Sequence, residues 1–169
     1  MREAGIPFIQ KPVPFDEEQI GTDDPYRFVV EASYGKFKTA LSLFPRENIL
    51  TADTVVTDGR EIFRKPADRE QARQLLLKQS GREIKIVTAM WIKWSGKVHS
   101  VVDETLYRFD RFKEEELEQF LDSGEWRGKA GGCVVEGFCK RYIKEVRGYQ
   151  STAMGLPVEI LLKTLRGEW

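Results

Sequence analysis

Hydrophobic and polar positions alternate most clearly over residues 82–94. Ile84, Ile86, Thr88, Met90 and Ile92 fall on one side, and Lys85, Val87, Ala89, Trp91 and Lys93 on the other. A repeat of two is the signature of a strand, and Ser95-Gly96 predicts a turn into a partner strand over 98–109. Residues 48–57 read as a further strand. Asp58-Gly59 then predicts a two-residue hairpin, with 60–64 returning as its second strand. Helical spacing takes over elsewhere. Thr22-Asp23-Asp24-Pro25 supplies capping oxygens and a first-turn proline. Tyr26, Val29, Val30, Phe37, Ala40, Leu41 and Phe44 follow at helical intervals, interrupted at Gly35-Lys36. Asp68, with Gln71 three residues on, predicts the start of a second helix. Its inner face is Ala72, Leu75, Leu76 and Gln79, and Gly81 is its stop. Residues 113–122 predict a third helix, with Leu117, Phe120 and Leu121 inward. Gly155-Leu156-Pro157 opens a last one through Leu165, with proline at its first position. Pro7, Pro12 and Pro14 keep 6–15 extended and out of a central strand.

The 169 residues are enough for one domain with a real core. Charged residues make up 32%, with 27 basic side chains against 27 acidic ones. That balance argues against binding a nucleic-acid polymer or an anionic membrane surface. It leaves room for a local pocket that takes a phosphate group. No apolar run approaches about 20 residues, so no transmembrane helix is expected, and the N-terminus lacks the apolar core of a signal peptide. Cys133 and Cys139 do not have zinc-knuckle spacing, and His99 adds no second ligand set. The expectation is a cytoplasmic protein with two reduced thiols.

Against this background a few charged residues stand out. Asp53 lies inside Thr51-Ala52-Asp53-Thr54-Val55-Val56, although aspartate is depleted from strands and rarely buried without a partner. A metal, a water or a basic group would account for it; so would a plain turn at a strand end. Lys65-Pro66 follows across the predicted hairpin. Asp16-Glu17-Glu18 forms an acidic cluster that read alone is a solvated loop. Lys36 and Lys38 read as surface lysines unless something draws them inward. Gly128-Lys129-Ala130-Gly131-Gly132 would let backbone approach a ligand closely, with Lys129 adding charge, but it lacks Walker spacing. Glu136, between Val135 and Gly137, repeats the theme of an acid in an apolar run.

Taken together, Thr-Ala-Asp-Thr-Val-Val, Lys65-Pro66-Ala67-Asp68, the helix ending Gln79-Ser80-Gly81, Gly-Lys-Ala-Gly-Gly and Gly-Leu-Pro resemble the Maf family in order and spacing. Asp16-Glu17 and the helix after Pro25 resemble that family's second motif, so the likeness covers nearly the whole chain. The resemblance implies an α/β fold like that of the inosine-triphosphate pyrophosphatases, with a long mixed sheet flanked by helices and a cleft between two lobes. It implies hydrolysis of a nucleoside triphosphate to the monophosphate and pyrophosphate with Mg²⁺ or Mn²⁺. Asp53, Glu17 and Lys65 would be catalytic, with Asp53 and Glu17 also holding the metal. Thr54, Glu136, Lys36 and Lys129 would contact substrate. Glu136 matches the 7-methyl-GTP members and Thr54 the thymidine/uridine-triphosphate members; the balance leans to the purine. A homodimer is a further implication. The family's Ser-x-Ser-Pro-Arg-Arg run would precede Met1, so the resemblance also predicts a truncated domain of weak or no activity. A nucleotide-binding or septum-associated regulatory protein is the alternative it leaves open.

Overall fold

The computed structural model describes residue 1 and residues 5–168. A 3-10 turn, Glu17–Gln19, precedes helix α1, Pro25–Leu43. Strand β1, Ile49–Thr57, leads to helix α2, Arg69–Gln79. Strands β2, Glu83–Trp94, and β3, Lys97–Phe109, form a long hairpin, followed by helix α3, Glu114–Ser123. Strand β4, Ile143–Arg147, and the short helices α4, Gln150–Ala153, and α5, Val158–Arg166, complete the order. The α/β architecture is as expected. The sheet runs β1-β2-β3-β4, and each of its pairings is antiparallel rather than mixed.

Local chemistry accounts for the element boundaries. Asp24 caps α1 by accepting the Arg27 N–H, and Asp68 caps α2 by accepting that of Gln71. The Gln71 carboxamide oxygen in turn accepts the Ala67 N–H at 3.1 Å. Gly35-Lys36 does not interrupt α1, which runs unbroken through both. Pro157 sits one residue earlier than expected, as the cap of α5 rather than its first residue.

The predicted hairpin at Asp58-Gly59 does not form. The return consists of a single bridge, Thr57 to Ile62. Asp58 accepts the Arg60 and Glu61 N–H groups at 2.9 and 3.0 Å, which opens a wider loop. Beyond it the Phe63 and Arg64 carbonyls accept the Gly131 N–H at 3.1 and 3.2 Å. The glycine loop has taken the place of a strand partner. Strand β4 and helix α4 carry no periodicity long enough to be read from sequence.

Strand β2 is covered on both faces. On one, Phe28, Val29 and Ala32 of α1 pack on Val55, Val87 and Ala89. On the other, Ile84 and Ile86 join Tyr107, Phe109, Leu76, Leu117 and Trp126 in the main core. Cys133 and Cys139 are joined as a disulfide, which corrects the expectation of reduced thiols. The 3-10 turn Phe138–Tyr142 folds the second cysteine back onto the first, a geometry that spacing alone does not announce. Along the outer edge of β1 runs a groove of about 990 Å³, lined in part by Ile6, Leu50, Leu161 and Leu165; Asp53 does not line it. No helix among the described residues is long and apolar enough to cross a membrane.

Leu76 is fully buried between α2 and this core. Leu76→Ala should lower the unfolding free energy by about 2–5 kcal/mol, read as a fall in the urea midpoint with little change in slope.

Candidate active site

Alternation along β1 decides which of its side chains meet. Asp53 pairs with Ala89 and Val55 with Val87, so Asp53 lies on the α1 face of the sheet. Thr51, on the same face, donates from its hydroxyl to the Ser33 carbonyl of α1 at 3.0 Å and ties helix to strand. Lys36 lies three residues beyond Ser33, within reach of Asp53. Its Nζ donates to Asp53 Oδ1, and to Glu17 Oε1 at 2.7 Å. One ammonium therefore bridges two carboxylates brought from separate elements. The side chains are 12% exposed for Asp53, 24% for Lys36 and 46% for Glu17. The site opens to solvent on the Glu17 side.

Burial pushes the Asp53 carboxyl above its ordinary value, despite the hydrogen bond from Lys36 and the positive charge of Lys65. For Lys36 burial works the other way and would favour the neutral amine. Its bonds to Asp53 and Glu17 outweigh that and hold the ammonium charged. Together these give a fixed positive charge beside a carboxylate that holds its proton unusually well.

The other candidates are placed less closely. Lys65 is exposed, just past the Ile62 bridge, and its charge is felt at Asp53. Thr54 lies on the opposite face of the sheet. Its hydroxyl meets that of Thr88 at 2.8 Å, and Thr88 donates to the Thr152 carbonyl at 2.7 Å. Thr54 is thus the donor of the pair, and it anchors β1 towards α4. Lys129 is half-buried at the head of the glycine loop. That loop uses its close approach on its own chain: Gly131, at φ +68°, accepts from the Gln79 side chain at 2.6 Å. Glu136 lies on an exposed turn inside the disulfide loop, not in an extended apolar run. No hydrogen bond or ion pair among the described residues engages its side chain, although its charge is felt at Tyr107. Sequence reading passed over Phe15, whose ring lies against Gly35; a glycine inside a helix was the available signal.

Among the described residues no three His, Cys, Asp or Glu side chains converge as a metal cage. Asp53 and Glu17 nevertheless share one cation, the Lys36 ammonium. Two carboxylates suit an ion such as Mg²⁺, which keeps several waters and takes its remaining ligands from substrate phosphates.

Comparison with known proteins adds an independent line. The family described as "Maf-like protein" matches residues 1–168. A protein of a Nitratiruptor species named nucleoside triphosphate pyrophosphatase is 50% identical over 164 residues, 95% of this chain and 89% of that one. One of the same name from Helicobacter pylori is 37% identical over 169 residues, 98% and 88% of the two chains. A protein of Hydrogenovibrio crunogenus named dTTP/UTP pyrophosphatase is 31% identical over 166 residues, 97% and 86% of the two.

The raised Asp53 carboxyl has a signed consequence for stability. The folded chain binds this proton more tightly than the unfolded chain, so stability falls as pH rises from the ordinary carboxyl range through the folded pKa. Asn at position 53 removes that loss and keeps an oxygen for Lys36. The stability of Asp53→Asn relative to wild type should therefore be greater at pH 7 than in the acid range, as followed by thermal midpoints at stepped pH.

Proposed function

The chain belongs to the Maf-like protein family, and on that premise we propose that it is a metal-dependent nucleoside triphosphate pyrophosphatase. The observation that carries the reading is the Glu17–Lys36–Asp53 bridge. A half-buried acid whose proton affinity is raised makes a better general base than an ordinary aspartate. Asp53 accepts the proton of a water attacking the phosphorus on one side of the α–β anhydride. Glu17 is the second acid, facing Lys36 from the solvent side. Lys65, exposed and within electrostatic reach, offsets the negative charge that grows on the phosphates in the transition state. Lys36 orients both carboxylates and keeps the site from carrying two uncompensated charges. A divalent ion held by Asp53 and Glu17 would supply Lewis-acid polarisation of the phosphate oxygens. Products are the nucleoside monophosphate and pyrophosphate.

Lys129, at the head of the glycine loop, is assigned to substrate contact. Thr54 acts behind the strand, through its bond to Thr88. The base is assigned to Glu136. An unengaged carboxylate can accept two hydrogen bonds from a guanine-type edge, N1–H and the 2-amino group, which favours a 7-methyl-GTP-like purine. Uracil and thymine, the bases of the substrates in the Hydrogenovibrio relative's name, present both a donor and an acceptor, which a glutamine amide would suit better.

A pyrophosphate-release assay over canonical and methylated nucleoside triphosphates, with Mg²⁺, Mn²⁺ or chelator, tests the reading. Asp53→Asn should lower kcat by about 10²–10⁴-fold. Release that persists in that variant, or absence of release from every triphosphate, would overturn it. Glu136→Gln should shift relative kcat/KM from the methylated purine towards dTTP and UTP, and an unchanged ratio would remove Glu136 from base recognition.

A further inference from the structure

Gly35 lies near the middle of α1, where glycine costs about 1 kcal/mol relative to alanine. Its neighbourhood supplies the reason. A Cβ built there would lie 2.0, 2.2 and 2.7 Å from Cε2, Cζ and Cδ2 of Phe15. The Phe15 ring rests directly on the helix backbone, in a notch that only glycine leaves open.

The turn after Phe15 gives the notch a function. Asp16 caps this turn by accepting the Glu18 N–H at 3.0 Å and the Gln19 amide at 3.2 Å, and the Ile20 N–H returns to the Glu17 carbonyl at 3.1 Å. The turn is closed upon itself, yet its residues 16–19 are exposed. It is held to the body at its two ends, by Phe15 on Gly35 and by Ile20 against the Phe28–Val29 cluster. Glu17 projects from it onto Lys36, the residue after the notch glycine.

We infer that Phe15 seated on Gly35 is a positioning latch that sets the Glu17 carboxylate against Lys36 and thereby fixes the second acid of the site. The inference rests on the reading of Glu17 as that acid. An open depression of about 270 Å³ adjoins the ring, lined by Gln19, Ile20, Tyr34 and Lys38 among others. The ring therefore has somewhere to go: a methyl at position 35 pushes Phe15 aside and leaves α1 in place. Carbon atoms settle at about 3.5–4.0 Å, so the ring must retreat by roughly 1.5 Å. Such a shift, passed on to Glu17, takes its 2.7 Å bond to Lys36 beyond hydrogen-bonding distance. Asp53 is on β1 and keeps its own bond to Lys36.

Gly35→Ala is the direct test, and Gly35→Ala with Phe15→Leu is its rescue, because the pair moves volume from ring to helix with little net change. In Gly35→Ala the backbone amides of Glu18 and Ile20 should exchange with deuterium about tenfold faster, while those of α1 exchange no faster and the thermal midpoint does not fall. The Mg²⁺ concentration for half-maximal pyrophosphate release should rise about tenfold. Both readouts should return towards wild type in the double variant. Unchanged exchange at Glu18 and Ile20 overturns the latch. Faster exchange with an unchanged Mg²⁺ requirement overturns its role in placing Glu17. Should wild type release no pyrophosphate at all, the proposed activity fails and the exchange measurement still decides the latch.

Discussion

The ammonium of Lys36 is the point on which the site depends. A carboxylate on a half-buried strand is unfavourable without a partner, and so is an ammonium drawn in from a helix surface. Each makes the other tolerable, and Glu17 completes the set from the solvent side. The arrangement joins three segments that are separate in sequence: the turn before α1, α1 itself and β1. It also shares one ammonium between two acids, so neither carboxylate stands uncompensated.

The two faces of β1 divide the work. Asp53 turns towards α1, while Thr54 turns to the other side and joins a chain of hydroxyls, Thr54 to Thr88 and on to the Thr152 backbone, with the Thr152 hydroxyl donating to Asp103. This polar seam lies in an otherwise apolar interface and is satisfied throughout, as buried polar groups need to be. It holds β1 from the face opposite Asp53. A second polar group on the α1 side, in which Tyr26 and Lys85 both donate to Glu104, is set apart from Asp53 by the apolar Val55–Val87 pair.

The glycine loop and the disulfide illustrate how backbone groups from distant segments are joined in this fold. Gly131 serves the segment after β1 by donating its N–H to the Phe63 and Arg64 carbonyls, and its own carbonyl accepts from the Gln79 side chain. The same stretch of chain leads into the turn that carries Glu136, closed by the Cys133–Cys139 bond. A covalent closure of this kind limits the conformations open to the turn. Phe63, fully buried below, ties this region to the main core.

Much of the architecture was legible in the sequence because it is local. The alternation in β2 and β3, the Asp24 and Asp68 caps and the glycine stop of α2 are short-range rules acting within a few residues. Asp53 was conspicuous for a local reason too, as an acid where a strand disfavours one. What the sequence did not contain was distance across the fold. Lys36 reads as a surface lysine until α1 is laid on β1; only then does Asp53 draw it inward. The 60–64 return reads as a strand until the Gly131 N–H claims its carbonyls. Two cysteines six residues apart read as thiols until a 3-10 turn brings them together. Thr54 looks like a neighbour of the site until the pleat turns it to the opposite face. Sequence by itself determined which residues could do chemistry and where the longer helices and strands would run. The tertiary structure alone decided which of them meet, because the energy of a buried charge depends on partners supplied from far along the chain.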